Sequence, residues 1–285
     1  MKISLVQMNS LPDRDYNLLQ AERLMQQAVG SDKPDLIVLP EHFDWTGGTP
    51  TEKRVAADNA PGGEAYRMIK EFAARNGVWV HAGSLLEKIP SSSRIFNTTV
   101  VFNAEGKEVG RYRKMHLFDV TTPDGRHYGE SETVAPGSRL FIYEFMGVRI
   151  GCAICYDLRF SRLFDLLANQ NVGLFILPAA FTEPTGREHW EVLCRARAIE
   201  FQAFFVACGQ CGSYTDPEGQ KRRTYGNSLV CDPWGRIIGR AGEEPTVISA
   251  SLELSRLDEV RGWIPMADHR LHLVNVPIDV AAGGE

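Results

Sequence analysis

The apolar residues of this chain fall into short unbroken runs, separated by longer segments in which they recur every three or four positions. Runs at 2–8, 35–40, 78–85, 96–102, 109–114, 148–155, 173–178, 203–208 and 246–252 have the length and continuity of buried strands. The segment 15–29 places Leu18, Ala21, Met25 and Ala28 on one side of a helix, with Gly30 and Ser31 as its stop. Further helices are predicted at 64–76, 158–168, 187–202 and 254–260, and Glu191 and Arg195 pair at i,i+4 on the polar side of 187–202. Turns at Asn103 to Gly106, at Met146-Gly147 and at Asp232-Pro233-Trp234-Gly235 join strands as hairpins. Strands that alternate with helices, with hairpins mixed in, predict an α/β protein with mixed sheets. Each half carries two short buried strands separated by helix, 2–8 with 35–40 and 148–155 with 173–178, which points to two sheets related by pseudo-symmetry. Three stretches read as loops: 46–51, the polar 211–224, and 115–138 with Pro123, Gly125, Gly129, Pro136 and Gly137. A patternless stretch of that last length inside a compact domain is disordered or functional, and its aromatic and charged content favours function.

Residues with chemistry stand at the ends of strands. Cys155 closes 148–155, just before the helix predicted from Leu158. A helix N-terminus there would favour a thiolate, and its free N–H groups could hold a developing oxyanion. Glu41 follows 35–40, where desolvation by apolar neighbours would raise a carboxylate pKa toward that of a general base. Lys114 closes 109–114. Taken singly, such a glutamate is more often an ion-pair partner and such a lysine an ordinary surface residue. Together they occupy the carboxyl ends of strands, where ligand sites of open α/β sheets gather. A cysteine that attacks a carbonyl needs a base, an oxyanion donor and a proton for the leaving group. The histidines (His42, His81, His116, His127, His189, His269 and His272) stand in no cysteine–histidine protease signature, so a structural role is expected of each.

Composition narrows the classes. The 285 residues, 44% apolar and 24% charged, are those of a globular protein of one large domain or two medium ones. The formal net charge is -5 and no basic block appears; the short run 220–223 reads as a solvated loop, so no nucleic-acid partner is expected. No apolar stretch reaches membrane-spanning length and 3–8 is too short for a signal peptide, so a cytoplasmic protein with six reduced cysteines is expected. No glycine-rich phosphate loop supports a nucleotide cofactor. Cys152 with Cys155 and Cys208 with Cys211 each read C-x-x-C, a rival zinc site or thiol-redox pair. The 53 positions from Cys155 to Cys208 far exceed a ribbon gap, and Cys152 and Cys155 would point to opposite faces of a strand, so no metal is expected. A non-catalytic interaction protein is a third reading, against which intact Glu41, Lys114 and Cys155 speak.

PEHF around Glu41, YRKMHLF around Lys114 and GCAICYDLRF around Cys155 resemble, in order and spacing, the three signature regions of the nitrilase, or carbon–nitrogen hydrolase, superfamily. The likeness continues through PAAFTEPTGREHWEVLCRARAIE and YGNSLVCDPWGRII, to about Arg270. The resemblance implies a four-layer αββα sandwich, a single domain over 1–270 with a tail at 271–285, and subunits that pair through helices into a homodimer or higher homo-oligomer. It implies that Cys155 is the nucleophile, Glu41 the general base and acid, and Lys114 the cation that stabilises the tetrahedral intermediate. Glu130, in GESETVAPG, matches a second glutamate beside the lysine, and the N–H of Tyr156 would join Lys114 at the oxyanion. Cys155-Tyr156-Asp157 followed by Arg159-Phe160 resembles the amidase branch, which includes omega-amidases and deaminated-glutathione amidases, rather than the CWE of true nitrilases. The implied activity is release of ammonia, without a cofactor, from a small amide such as the omega-amide of a dicarboxylic or keto acid, through a thioester; the alternative substrate is a small nitrile. An arginine or tyrosine near the pocket would take the distal carboxylate, and the sequence does not choose it. Arg159 is expected to pair with Asp157 or another carboxylate, and Phe181 and Thr182 to line the pocket. The loop 119–127 matches neither amidase type well.

Overall fold

The computed structural model describes residues 1–122, 125–216 and 219–271. Two six-stranded sheets lie face to face. The first runs, in space, Thr246–Ser251, Lys2–Gln7, Leu36–Val38, Trp79–Lys88, Ile95–Phe102 and Glu108–Arg113. The second runs Ile237–Arg240, Leu229–Cys231, Phe204–Gly209, Val172–Ala179, Val148–Cys152 and Ile142–Phe145. In each, three parallel strands form the centre, with two antiparallel strands on one side and one on the other. The repeat expected from the paired apolar runs is therefore present as two like sheets. In the first, the single antiparallel strand is Thr246–Ser251, paired to Lys2–Gln7 with Lys2 opposite Ser251.

Continuous apolar runs arise because both faces of the central strands are covered. Leu36 and Val38 share a core with Ile150 and Leu174 of the facing sheet, whereas Ile37 and Leu39 pack with Leu24 and Phe72 of the helices Arg14–Asp32 and Glu64–Asn76. All eight are buried, and each such side chain contributes about 1.5–3 kcal/mol. On the other side Phe164, of the helix Ser161–Ala168, meets Phe175 edge-on at 5.3 Å, and Trp190 and Phe201 of Glu183–Phe201 enter the same core. The result is the α/β four-layer αββα sandwich that the resemblance implies.

Several boundaries differ from those read in the sequence. The first helix continues through Gly30 and Ser31 to Asp32. One glycine costs a helix only about 1 kcal/mol against alanine, whereas Pro34 bars the preceding Lys33 from the right-handed helix, and Lys33 sits at φ 48. The 46–51 loop runs into a helix, Pro50–Ala56, with Thr49 and Glu52 capping each other and Pro50 in the first turn. The 115–138 stretch holds a hairpin, Asp119–Thr121 with His127–Gly129, and one tight turn, Glu130–Glu132. The 211–224 loop holds a second hairpin, Ser213–Thr215 with Lys221–Arg223. The two hairpins meet where the Arg222 guanidinium lies 5.1 Å from the Tyr128 ring centroid. No α-helix starts at Leu158: Cys155–Arg159 is a single tight turn, and the helix begins at Ser161. The helix predicted at 187–202 starts earlier, at Glu183, and that predicted at 254–260 extends to Trp263. The tail beyond Leu271, His272 included, lies outside the described residues. Among the described residues no helix is long and apolar enough to cross a membrane.

Candidate active site

The strand ends that carry Glu41, Lys114 and Cys155 open into one pocket of about 300 Å³, at the small end of ligand sites. The three side chains are buried, with residue exposures of 2%, 2% and 7%. Lys114 Nζ donates to Glu41 Oε1 at 2.9 Å and to both oxygens of Glu130, at 3.0 and 2.8 Å. An ammonium has three hydrogens, so these contacts use all of them. Glu130 is fixed in turn by its own loop: Oε2 accepts the Phe118 N–H at 2.7 Å. The Cys155 thiol shares this pocket with the Glu41 carboxylate, and Glu41 and the Ala180 N–H both act on it electrostatically.

The electrostatics differ from the expectations set by local sequence. Burial alone pushes the Glu41 pKa up, but Lys114, His42 and hydrogen bonds from Cys155 and Lys114 outweigh it and hold the carboxyl below the ordinary carboxylate range. The apolar neighbours visible in the sequence are present; the cation that overrides them comes from another strand. Burial, and then the Glu41 carboxylate, push the Cys155 thiol well above its ordinary value, and Lys114 only partly offsets them. The turn at Cys155 is too short to supply a helix dipole that would reverse this. Burial likewise favours loss of the Lys114 proton, yet Glu130 and Glu41 hold its pKa well above normal. The resting site is therefore a thiol, a carboxylate and an ammonium.

Cys155 sits at φ 48, a conformation uncommon outside glycine. Asp157, fully buried, secures the turn. It accepts the Ile154 N–H at 2.9 Å, the Tyr112 hydroxyl at 2.7 Å, and the His116 N–H and Nδ1 at 3.1 and 2.7 Å. The nucleophile turn is thus tied to the strand and loop on either side of Lys114. These donors fill Asp157, so Arg159 is not its partner. Instead Arg159 Nη1 lies 3.1 Å from His189 Nδ1, and the guanidinium lies over Phe181 and Tyr156 at 5.3 and 6.0 Å, on the pocket wall. Replacing Asp157 by alanine is expected to lower unfolding free energy by about 3 kcal/mol, because several buried donors lose their acceptor. Urea unfolding at neutral pH checks this, and a loss under about 1 kcal/mol would contradict the tie.

Phe181 and Thr182 line the pocket, following Ala180 at the end of Val172–Ala179. The Tyr156 N–H, next after the thiol, has no hydrogen-bond partner among the described residues. Two residues beside the centre were not singled out in the sequence. Asn97 Nδ2 lies 2.9 Å from Glu41 Oε1 and 3.4 Å from Glu130 Oε1, bridging the two carboxylates. Its signal was an asparagine, a poor strand former, inside an apolar strand. His42, expected to be structural, places Nε2 3.8 Å from Glu41 Oε1, and burial lowers its pKa to about 4, leaving it neutral. The four C-x-x-C cysteines are not gathered as a metal site would need. Among the described residues the one group of that kind is Glu41, His42 and Glu130, into which Lys114 already donates. Cys208 donates to the Val6 and Val38 carbonyls at 3.3 and 3.4 Å and belongs to the core.

A family model described as carbon–nitrogen hydrolase matches residues 2–262. Over 270 residues the chain is 36% identical to a deaminated glutathione amidase of Synechocystis, covering 93% of this chain and 96% of that protein. It is 34% identical over 274 residues to an omega-amidase of Xenopus tropicalis, covering 95% of each. Among solved structures, the NitFhit protein of C. elegans superposes with a TM-score of 0.87 at 34% identity. That match covers 94% of this chain, which spans 64% of the NitFhit chain.

Proposed function

Because the chain belongs to the carbon–nitrogen hydrolase family and is an amide hydrolase, we propose that it releases ammonia from the omega-amide of a small dicarboxylic or keto acid through a thioester on Cys155. The observation that carries this reading is a Glu41 carboxylate that accepts from Lys114 at 2.9 Å in the pocket that also holds the Cys155 thiol, close enough for each to shift the other's pKa. Glu41 takes the thiol proton as sulfur bonds to the amide carbon. Proton transfer removes the charge that held one Lys114 N–H, and that N–H turns to the oxygen becoming negative at the same moment. The free Tyr156 N–H supplies a second donor. Glu41 then protonates the amide nitrogen, the carbon–nitrogen bond breaks and ammonia leaves. A water, deprotonated by Glu41, attacks the thioester, and the proton returns to sulfur as the acid departs. Glu130 and Asn97 hold Lys114 and Glu41 in register throughout.

The small pocket suits a short acyl chain, and the relatives' names supply the amide class. The helix Glu183–Phe201 exposes Val192 and Ile199 on one side, with Trp234 and Trp263 nearby at 5.4 Å from each other. This apolar face supports a homodimer paired through helices. Six free cysteines support a reducing, cytoplasmic setting.

An ammonia-release screen of dicarboxylic monoamides, keto-acid amides, neutral amides and nitriles tests the reading. The expected result is turnover of the monoamides, with kcat/KM flat from about pH 8 to about pH 5. Glu41 must be ionised, and its depressed pKa keeps it so until the pH falls below the usual carboxylate range. Turnover of nitriles alone would replace the amidase reading, and an acid limb centred near about pH 6 would place the base elsewhere.

A further inference from the structure

We propose that Lys53 selects substrates by charge, its ammonium receiving the carboxylate at the far end of the acyl chain while the amide carbon lies at Cys155. The inference rests on the amidase reading and deepens it. Lys53 lies on Pro50–Ala56, half-buried on the pocket wall. The short helix is fixed in place. Its cap locks the first turn, the Lys53 N–H donates to the Thr49 carbonyl at 2.9 Å, and Ala56 and Ala57 pack on Leu86, Ile95 and Val134, with Leu117 against them. Leu117 and Val134 flank the segments that carry Lys114 and Glu130, so Lys53 is held in register with the catalytic centre.

What distinguishes Lys53 is that its ammonium makes no hydrogen bond or ion pair among the described residues. The other cations of the lining are engaged. Lys114 is held by two glutamates, Arg222 by Asp216 at 2.6 Å and Arg223 by Glu243 at 2.6 Å, and Arg159 meets His189 and two ring faces. Lys53 bears the cost of desolvation, felt as a lowered pKa, which Glu130 and Glu41, acting at a distance, only partly offset. A cation left in that condition beside a nucleophile is a binding group awaiting an anion.

Charge balance points the same way. Glu41 and Glu130 share one ammonium, so the centre by itself carries a surplus negative charge that repels a carboxylate. Lys53 cancels that surplus. Over the whole lining five cations, Lys53, Lys114, Arg159, Arg222 and Arg223, face the four carboxylates of Glu41, Glu130, Glu132 and Asp216. With Arg223 held by Glu243, which lies outside the lining, the other four cations just balance the four carboxylates, and removing Lys53 would leave the pocket negative.

The test compares ammonia release from succinamate and from butanamide, which has a methyl group where succinamate has its carboxylate. Lys53→Met should lower kcat/KM for succinamate about 10–100-fold, the range for losing one charge-assisted hydrogen bond, mainly through KM. Butanamide turnover should change by less than about 3-fold, since uniform binding of the acyl stem is untouched. Lys53→Arg should restore most of the succinamate activity. Equal losses on both amides, or no loss on succinamate, would overturn the assignment while leaving the amidase reading intact. Release of ammonia from neither amide by the unmodified protein, with other amides also inert, would overturn both.

Discussion

Cys155→Ala is expected to abolish ammonia release, lowering kcat by at least about 10⁴-fold, with the fold intact. The size of the effect follows from what the sulfur does. It forms the bond that converts one difficult hydrolysis into two easier steps, and among the described residues no other cysteine lines the pocket. Stability should change little, because Glu41 keeps its bonds from Lys114 and Asn97 when the thiol is gone. A loss of less than about 1 kcal/mol by urea unfolding is the expected companion result. Cys155→Ser should be nearly as inactive: it preserves the donor to Glu41 but not the nucleophilicity of sulfur. Activity within about tenfold of the unmodified protein, in a folded Cys155→Ala variant, would remove Cys155 from the mechanism.

Lys114→Met should damage chemistry and stability together. It removes an oxyanion donor, which costs about 10²–10³ in kcat, and it leaves buried Glu41 beside partly buried Glu130 with no ammonium between them. Breaking a buried ion pair from one side costs about 3–5 kcal/mol. The deficit should depend on pH in a definite sense. In the unmodified protein Glu41 has a depressed pKa, so its stabilisation is present above the ordinary carboxylate range and is lost as the pH falls through the folded value. In the variant the two carboxylates repel, the pKa of one rises, and protonation relieves the repulsion. The folded state then binds protons more tightly than the unfolded chain, so the variant gains on acidification. The difference in Tm between the two proteins should therefore narrow from about pH 8 to about pH 4.5. A Tm deficit constant across that range would show that the two glutamates do not need the ammonium.

The sequence revealed elements and attachments better than environments. Runs such as 35–40 announce strands covered on both faces, and the residues at their ends, Glu41, Lys114 and Cys155, do meet in one pocket. The protonation of Glu41 and Cys155 departs from the local expectation because it depends on partners remote in the chain. Leu39 and Pro40 stand beside Glu41 in sequence, whereas Lys114 and Asn97 reach it only once the sheet is assembled. Arg159 was expected to pair with Asp157 or another carboxylate, but a tight turn points it away from Asp157 and it meets His189. The helix bearing Lys53 was legible in principle: Thr49, Pro50 and Glu52 spell a helix start, masked by the glycines before them. Tyr128 and Arg222, which join the two hairpins, gave no local signal, since neither has apolar periodicity around it.

The pairing of Thr246–Ser251 with Lys2–Gln7 also sets a clock on manufacture. A ribosome makes Lys2–Gln7 before any other strand of these sheets, yet the antiparallel neighbour of that strand is the last to be made. At about 5–20 residues per second, the interval is roughly 10–50 s. Gln7 waits equally long for the carbonyls of Gly242 and Glu244, which its side chain joins at 2.8 Å. Throughout that time the nascent chain carries an unpaired apolar edge beside the sheet that holds Glu41 and Lys114. Ribosomes that stall before Thr246–Ser251 would release chains with every reacting side chain already made and that sheet still open, so the need for a chaperone should peak just before that strand emerges.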